Sequence, residues 1–206
     1  MKTLVISGSR NPQGRTASLI KALCRGITTA GSDSEVLYLP QMNIELCRQC
    51  NDDGWGICRD ETKCIIDDDD FTRVVEKIDD ADAVVFANPV YFGDLSESMK
   101  AFLDRFRRVR TTIPRVPLPT SAPPPGPFNN ESGPIAVGIC YAGGSGNGTT
   151  SCCMNLERTL QICGFDVVDM IPVRRQNLDA KIKIMELTGL WLATQPASSK
   201  CKLEPI

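Results

Sequence analysis

The sequence of 206 residues contains no histidine. This absence excludes catalysis by an imidazole and every zinc site that includes a histidine ligand. The net charge of −2 provides no basic field that would hold nucleic acid or an acidic membrane, so we expect neither as a partner. No apolar run approaches the roughly 18–20 residues that a membrane helix needs.

The N-terminal apolar run is also short. It comprises little more than Leu4–Ile6, which is too short for the core of a signal peptide. We therefore expect a cytoplasmic protein, although ten cysteines would otherwise suggest a secreted disulfide scaffold. In a reducing compartment these thiols are either bound to metal or buried as small apolar side chains.

Four of the cysteines form the most informative feature of the chain. They are Cys47, Cys50, Cys58 and Cys64, and they lie in a segment, residues 43–67, that we call the cysteine loop. Glycines and charged residues separate them, which makes the segment poor core material. Thiolates grouped in this way bind a soft metal, either tetrahedral zinc or an iron–sulfur cluster.

The remaining sequence alternates short apolar runs with amphipathic stretches. Valine- and isoleucine-rich runs predict buried parallel strands, and apolar residues three or four apart predict helices between them. The predicted strands are Thr3–Ile6, Glu35–Leu39, Ala83–Ala87, Ile135–Cys140 and Val167–Ile171. Five strands alternating with five helices indicate one α/β domain over residues 1–206 with a doubly wound parallel sheet. Ligands of such sheets bind at the carboxyl ends of the strands.

A proline-rich segment, residues 113–134, interrupts this pattern. Eight prolines exclude a helix or a central strand there. The segment is predicted to be an ordered arm, a lid or a surface loop.

Three loops after predicted strands have the composition of ligand-binding loops. The first, residues 7–16, is rich in serine and glycine and leads into a helix, where backbone N–H groups can converge on a phosphate. It contains neither the Gly-x-Gly-x-x-Gly fingerprint nor the Gly-Lys-Ser/Thr phosphate loop. The second, residues 88–94, places two aromatic residues at the sheet edge, and the third, residues 141–148, has four glycines that let backbone approach a flat ring.

These motifs carry a resemblance to a known family. The Gly8–Arg10 loop, the run Asn88–Gly93 continued by Lys100–Arg105, and the glycines of residues 143–148 resemble the NADPH-dependent FMN reductase branch of flavodoxin-like proteins. The cysteine loop is similar to that of the iron–sulfur flavoproteins within this branch. It differs in that seven residues separate Cys50 from Cys58, where the family usually has two.

The resemblance implies a flavodoxin-like sheet in strand order 2-1-3-4-5 with noncovalently bound FMN. It implies that the phosphate and the isoalloxazine are held by residues of the three loops. These residues are Ser9, Arg10, Arg15, Thr16, Ala17, Pro89, Val90, Tyr91, Phe92, Gly93, Tyr141, Gly143, Gly144 and Gly148. It also implies a 4Fe–4S cluster on Cys47, Cys50, Cys58 and Cys64, with a structural zinc ion as the alternative. Arg48, Arg59 and Lys63 are expected to offset part of the cluster's negative charge.

Three functions agree with this sequence. The first is an electron-transfer flavoprotein that relays electrons between a 4Fe–4S cluster and FMN, with ferredoxin or NAD(P)H as a partner. The second is an NAD(P)H-dependent FMN or quinone reductase with a structural zinc site, and the third is a thiol-based redox sensor. The resemblance further implies a homodimer or homotetramer in which the cluster of one subunit lies near the flavin of another.

Overall fold

A computed structural model describes residues 1–110 and 134–195 of the chain. The five strands form one parallel sheet in the order β2-β1-β3-β4-β5. They are β1 Lys2–Ser7, β2 Asp33–Tyr38, β3 Ala83–Pro89, β4 Ile135–Ala142 and β5 Asp166–Arg174. All five predicted strands and the predicted strand order are confirmed. The proline-rich segment lies outside the described residues except for Pro134.

Both faces of the sheet are buried, as the apolar strands require. On β1, Leu4 and Ile6 point into one core while Val5 points into the other, because side chains alternate along a strand. The helices that cover the sheet were predicted from their apolar stripes. They are α1 Arg15–Thr29, α3 Phe71–Asp79, α4 Glu97–Arg110, α5 Thr149–Ile162 and α6 Leu178–Leu192.

Two glycines set the contact between α1 and α6. A Cβ on Gly26 would lie 2.0 Å from the carbonyl oxygen of Glu186, and one on Gly189 would lie 2.1 Å from that of Leu23. Only glycine at both positions lets the two backbones approach this closely. The pair encloses the core on one face, formed by residues such as Val85 and Val137.

The cysteine loop follows β2 and has little regular structure. A single turn of helix, α2 Cys58–Glu61, is the one helix within it. Its four residues are too few to give a periodic pattern, which is why the sequence did not predict it. In the described part of the chain, no helix has the length and apolar character needed to cross a membrane.

Candidate functional site

The loops that follow β1, β3 and β4 converge at the carboxyl edge of the sheet. Together they line an open groove of about 610 Å³. The groove is polar at the start of α1 and is bounded by rings and glycine elsewhere. Its lining residues are Ser9, Asn11, Gln13, Gly14, Arg15, Thr16, Ser18, Pro89, Val90, Tyr91, Tyr141 and Gly143.

The start of α1 gives the groove an anion-binding end. Gly14 is the N-cap and has no side chain to accept from the free N–H groups of the first turn, which also contains no acidic residue. The helix dipole adds partial positive charge, and Arg15 adds a full charge beside it. A phosphate placed here would accept hydrogen bonds that the protein itself leaves unmade.

A buried asparagine fixes the β3 loop beside this end. The Asn88 Oδ1 accepts hydrogen bonds from the Ser96 backbone N–H at 3.1 Å and from its hydroxyl at 2.9 Å, and the Asn88 amide donates to the Pro89 carbonyl at 2.7 Å. A Cβ on the adjacent Gly8 would lie 2.4 Å from the Ser96 Oγ. The backbone of the first loop at Gly8 therefore packs directly against the Ser96 side chain, which is hydrogen-bonded to Asn88. Pro89 and Val90, which follow Asn88, form one wall of the groove.

A second groove of about 600 Å³ continues the first along the β3 and β4 loops. Its lining includes Phe92, Gly93, Gly144 and Gly148. Phe92 has φ +52° and a fully exposed ring, a left-handed conformation that is uncommon outside glycine. Val90, Tyr91 and Gly143 line both grooves, so the two form one continuous surface.

Most of the predicted flavin-site residues therefore meet at one edge, but two do not line either groove. Arg10 forms an exposed ion pair with Glu97 at the start of α4, and Ala17 is fully buried in the first turn of α1. The sequence interpretation missed Asn11, Gln13, Gly14 and Ser18 of the first groove. It also missed Ser145 and Asn147 of the second. A search of all polar residues between β1 and the first turn of α1 would have found most of those in the first groove.

The four cysteines of the cysteine loop line one cavity. Three arginines also line it, namely Arg48, Arg105 and Arg108, and its lining contains no carboxylate. This donor set of soft sulfur atoms with surrounding positive charge suits an anionic thiolate-bound metal centre. Among residues 1–110 and 134–195, however, no three cysteine, aspartate or glutamate side chains stand close enough together to hold one metal ion.

Arg105 is the most buried of these cations, with 1% of its surface exposed. Its Nη2 donates to the Cys64 Sγ at 3.4 Å and to the Ile66 carbonyl at 3.2 Å, and it also forms a buried ion pair with Asp69. Burial would lower the pKa of Arg105, but the hydrogen bonds to Asp69 and Cys64 outweigh it and raise that pKa above its ordinary value.

The cations that the sequence predicted near the cluster have other surroundings. Arg48 lines the cavity but is paired with Glu45. Arg59 is paired with Asp53, and Lys63 is exposed. Arg105 and Arg108 were not predicted, because they come from α4 and reach the cysteine loop only through the packing of the fold.

The cysteine loop contains left-handed backbone near two of its cysteines, Cys50 and Cys64. Gln49 and Asn51, on either side of Cys50, have φ values of +48° and +58°, and Thr62 has +55°. Such conformations cost on the order of 1–2 kcal/mol each and persist only where surrounding contacts impose them. A Cβ on Gly56 would lie 3.3 Å from the Cys50 sulfur, so the backbone approaches this thiol closely.

The comparison with known families was decisive. Residues 1–178 match the family of NADPH-dependent FMN reductases. The chain belongs to this family. An iron–sulfur flavoprotein of Methanocaldococcus jannaschii is 36% identical over 145 residues, which is 70% of this chain and 65% of that protein. One from Methanosarcina thermophila is 31% identical over 105 residues, 51% of this chain and 52% of that protein.

These comparisons confirm the predicted resemblance, although the alignments cover less than two thirds of both relatives. The fold is shared more widely. An NAD(P)H:quinone oxidoreductase from Methanothermobacter marburgensis superposes with a TM-score of 0.62 at 16% identity, covering 95% of this chain and 98% of the other. A flavodoxin from the domain Archaea gives 0.55 at 14% identity, covering 94% and 96%. These two structural similarities show that the chain has a flavodoxin-like fold.

Proposed function

We propose that this flavodoxin-like oxidoreductase binds FMN at the carboxyl edge of its sheet and a 4Fe–4S cluster at the cysteine loop, and relays electrons between them. The observation that carries the proposal is the cavity where all four cysteines meet three arginines and no carboxylate. Because the chain belongs to the FMN reductase family, it contains both a candidate cluster site and a candidate flavin site.

The groove residues fit FMN by their chemistry. Ser9, Thr16 and the first-turn N–H groups of α1 would hold the phosphate, with Arg15 supplying charge. Pro89, Tyr91 and Gly143 would flank the isoalloxazine ring, where the absence of a side chain on glycine permits close backbone approach. Bound FMN supplies one- and two-electron chemistry, while the chain orients the ring and limits access of water.

The relatives favour a cluster over zinc, because the similar proteins of Methanocaldococcus jannaschii and Methanosarcina thermophila are iron–sulfur flavoproteins. The four cysteines that line one cavity supply the four thiolates that a 4Fe–4S cluster needs. The alternative is an NAD(P)H-dependent reductase that holds a structural zinc ion at the same cysteines.

We also propose that the protein is a homodimer or homotetramer in which the cluster of one subunit approaches the flavin of another. Exposed apolar residues support this proposal. Leu46, Ile57 and Ile65 are 72%, 37% and 55% exposed in the cysteine loop, and Phe92 is fully exposed at the flavin edge. Apolar groups gathered around functional loops are typical of interfaces. Light scattering should give a dimer or larger species, and Ile65→Lys should weaken it while Ile184→Lys on α6 serves as the control.

Stopped-flow reduction of FMN distinguishes the candidate functions. Under anaerobic conditions, reduced ferredoxin and NADPH are mixed separately with the wild type and with Cys50→Ser. The relay predicts that ferredoxin reduces FMN rapidly in the wild type and slowly in the variant, because the cluster accepts single electrons first. Rapid reduction by NADPH that is equal in both proteins would favour the simple reductase. A thiol-based sensor would show no flavin reduction by either donor.

A further inference from the structure

Arg105 reaches into the cysteine loop from a different part of the fold. It lies on α4, two turns after Glu97, and α4 begins shortly after the β3 loop of the flavin edge. Since an α-helix rises 1.5 Å per residue, these eight residues place Arg105 about 12 Å along α4 from that edge. Its side chain then crosses to the cysteine loop, 41 positions away in sequence from Cys64.

The contacts of Arg105 divide between structure and cysteine chemistry. Nη1 donates to the Glu45 carbonyl at 3.1 Å and pairs with Asp69, and the guanidinium also stacks 4.1 Å from the Phe71 ring centroid. These contacts hold the two ends of the loop together. Nη2 donates to the Asp69 Oδ1 at 3.3 Å and to the Ile66 carbonyl at 3.2 Å. It also donates to the Cys64 sulfur at 3.4 Å, a contact that the pairing with Asp69 does not require.

Sulfur is a weak acceptor as a thiol and a strong one as a metal-bound thiolate. A buried, fully charged donor directed at Cys64 therefore has its greatest effect when that sulfur carries negative charge from a metal centre. Donors to ligand sulfurs orient the ligands and shift the reduction potential of iron–sulfur clusters. Of the three arginines that line the cavity, Arg105 is the one that donates to a cysteine sulfur in the described part of the chain. Arg48 pairs with Glu45, and Arg108 donates to the Gly54 carbonyl at 3.0 Å.

We propose that Arg105 is a positioning residue for the metal centre: it fixes the Cys64 sulfur as a ligand and, through its buried positive charge, makes the cluster easier to reduce. This inference rests on the proposed cluster. It assigns a role to a residue of α4 that binds neither metal nor flavin. Arg105→Gln removes the charge, and Arg105→Lys keeps the charge but cannot reach the sulfur, Asp69 and both carbonyls at once.

The experiment measures the midpoint potential of the cluster and the rate at which a ferrous chelator removes its iron. Arg105→Gln should lower the potential by about 59 mV, which is a tenfold change in a one-electron equilibrium. It should also release iron several times faster than the wild type. Arg105→Lys should largely restore the potential while still releasing iron faster. Arg110 lies on the same helix as Arg105 and forms an ion pair with Asp79 of α3, so Arg110→Gln removes a charge from α4 but should change neither quantity.

The outcomes separate this inference from the proposed function. A wild type that contains no iron and no labile sulfide overturns both. A wild type with a cluster, and Arg105 variants with unchanged potential and iron release, overturns only the role of Arg105. If Arg105→Gln does not fold, Arg105→Lys decides through iron release: a faster rate supports the positioning role, and a wild-type rate contradicts it.

Discussion

The guanidinium of Arg108 lies 4.2 Å from the centroid of the Trp55 ring, over the cysteine loop. Arg59 lies 5.2 Å from the same centroid, so the ring contacts two cations. The Trp55 carbonyl accepts a hydrogen bond from the Asn51 side chain at 2.7 Å, and its backbone N–H donates to Asp53 at 3.0 Å. Trp55 therefore closes the long segment between Cys50 and Cys58, where the family usually has a shorter spacing.

Trp55→Ala should open the cysteine loop without unfolding the protein. Loss of cation–π contacts of roughly 0.5–2 kcal/mol reduces the local opening free energy. In metal-free protein, thiol labelling of the four loop cysteines should accelerate about 5- to 30-fold, which corresponds to about 1–2 kcal/mol. Mass spectrometry of labelled peptides measures this rate. Trp191→Ala on α6 is the matched control, and equal labelling in both variants would contradict the proposed closure.

Gly148→Ala should disrupt the flavin edge. Gly148 has φ +82°, and a Cβ there would lie 2.5 Å from the Gly93 Cα and 3.0 Å from its nitrogen. Backbone strain of about 1–2 kcal/mol thus adds to a clash that separates the β3 and β4 loops. We expect lower stability in urea and at least about tenfold weaker FMN binding, measured by quenching of flavin fluorescence.

Gly164→Ala controls for the strain alone. Gly164 has a similar φ of +85°, but a Cβ added there would meet no atom within 4 Å. The substitution should cost stability comparable to the backbone strain and leave FMN affinity unchanged. If both variants bind FMN as the wild type does, the groove between the β3 and β4 loops is not the flavin site.

Asp69→Asn should remove an acid-sensitive part of the stability. Burial alone would raise the pKa of Asp69, but hydrogen bonds from Arg105 and from the Glu45 and Phe71 amides together bring that pKa below its ordinary value. A depressed pKa contributes stability above the unfolded value of about 3.9, and this contribution disappears as the pH falls through the folded pKa.

Urea unfolding between pH 7 and pH 3 measures this contribution. At pH 7 the variant should be less stable by about 3 kcal/mol, because breaking the pair leaves Arg105 buried without its counter-ion. The difference from the wild type should shrink towards pH 3. The pair with Lys2 also lowers the pKa of Asp80, but this pair is exposed and screened by solvent, so Asp80→Asn should show a much smaller trend. A constant difference across the pH range would mean that the Asp69 charge does not stabilise the fold.

The sheet could be predicted well from the sequence because its physical signal is strong. Both faces of a parallel sheet are covered, so runs such as Ala83–Ala87 are continuously apolar and hard to mistake. The strand ends then placed the three loops at one edge. Contacts between distant segments carry no such signal. The ion pair of Arg10 with Glu97 and the contact of Arg105 with Cys64 depend on how α4 packs, which neither spacing nor composition reveals.

Composition analysis of anaerobically purified protein tests the proposed pairing of cluster and flavin most directly. Iron, labile sulfide, zinc and FMN are quantified per chain in the wild type and after replacement of Cys47, Cys50, Cys58 or Cys64 by serine. We expect about four irons, four sulfides and one FMN, with iron lost on any single replacement while FMN remains. One zinc without labile sulfide, or a chain that neither contains nor takes up FMN, would contradict the proposed function.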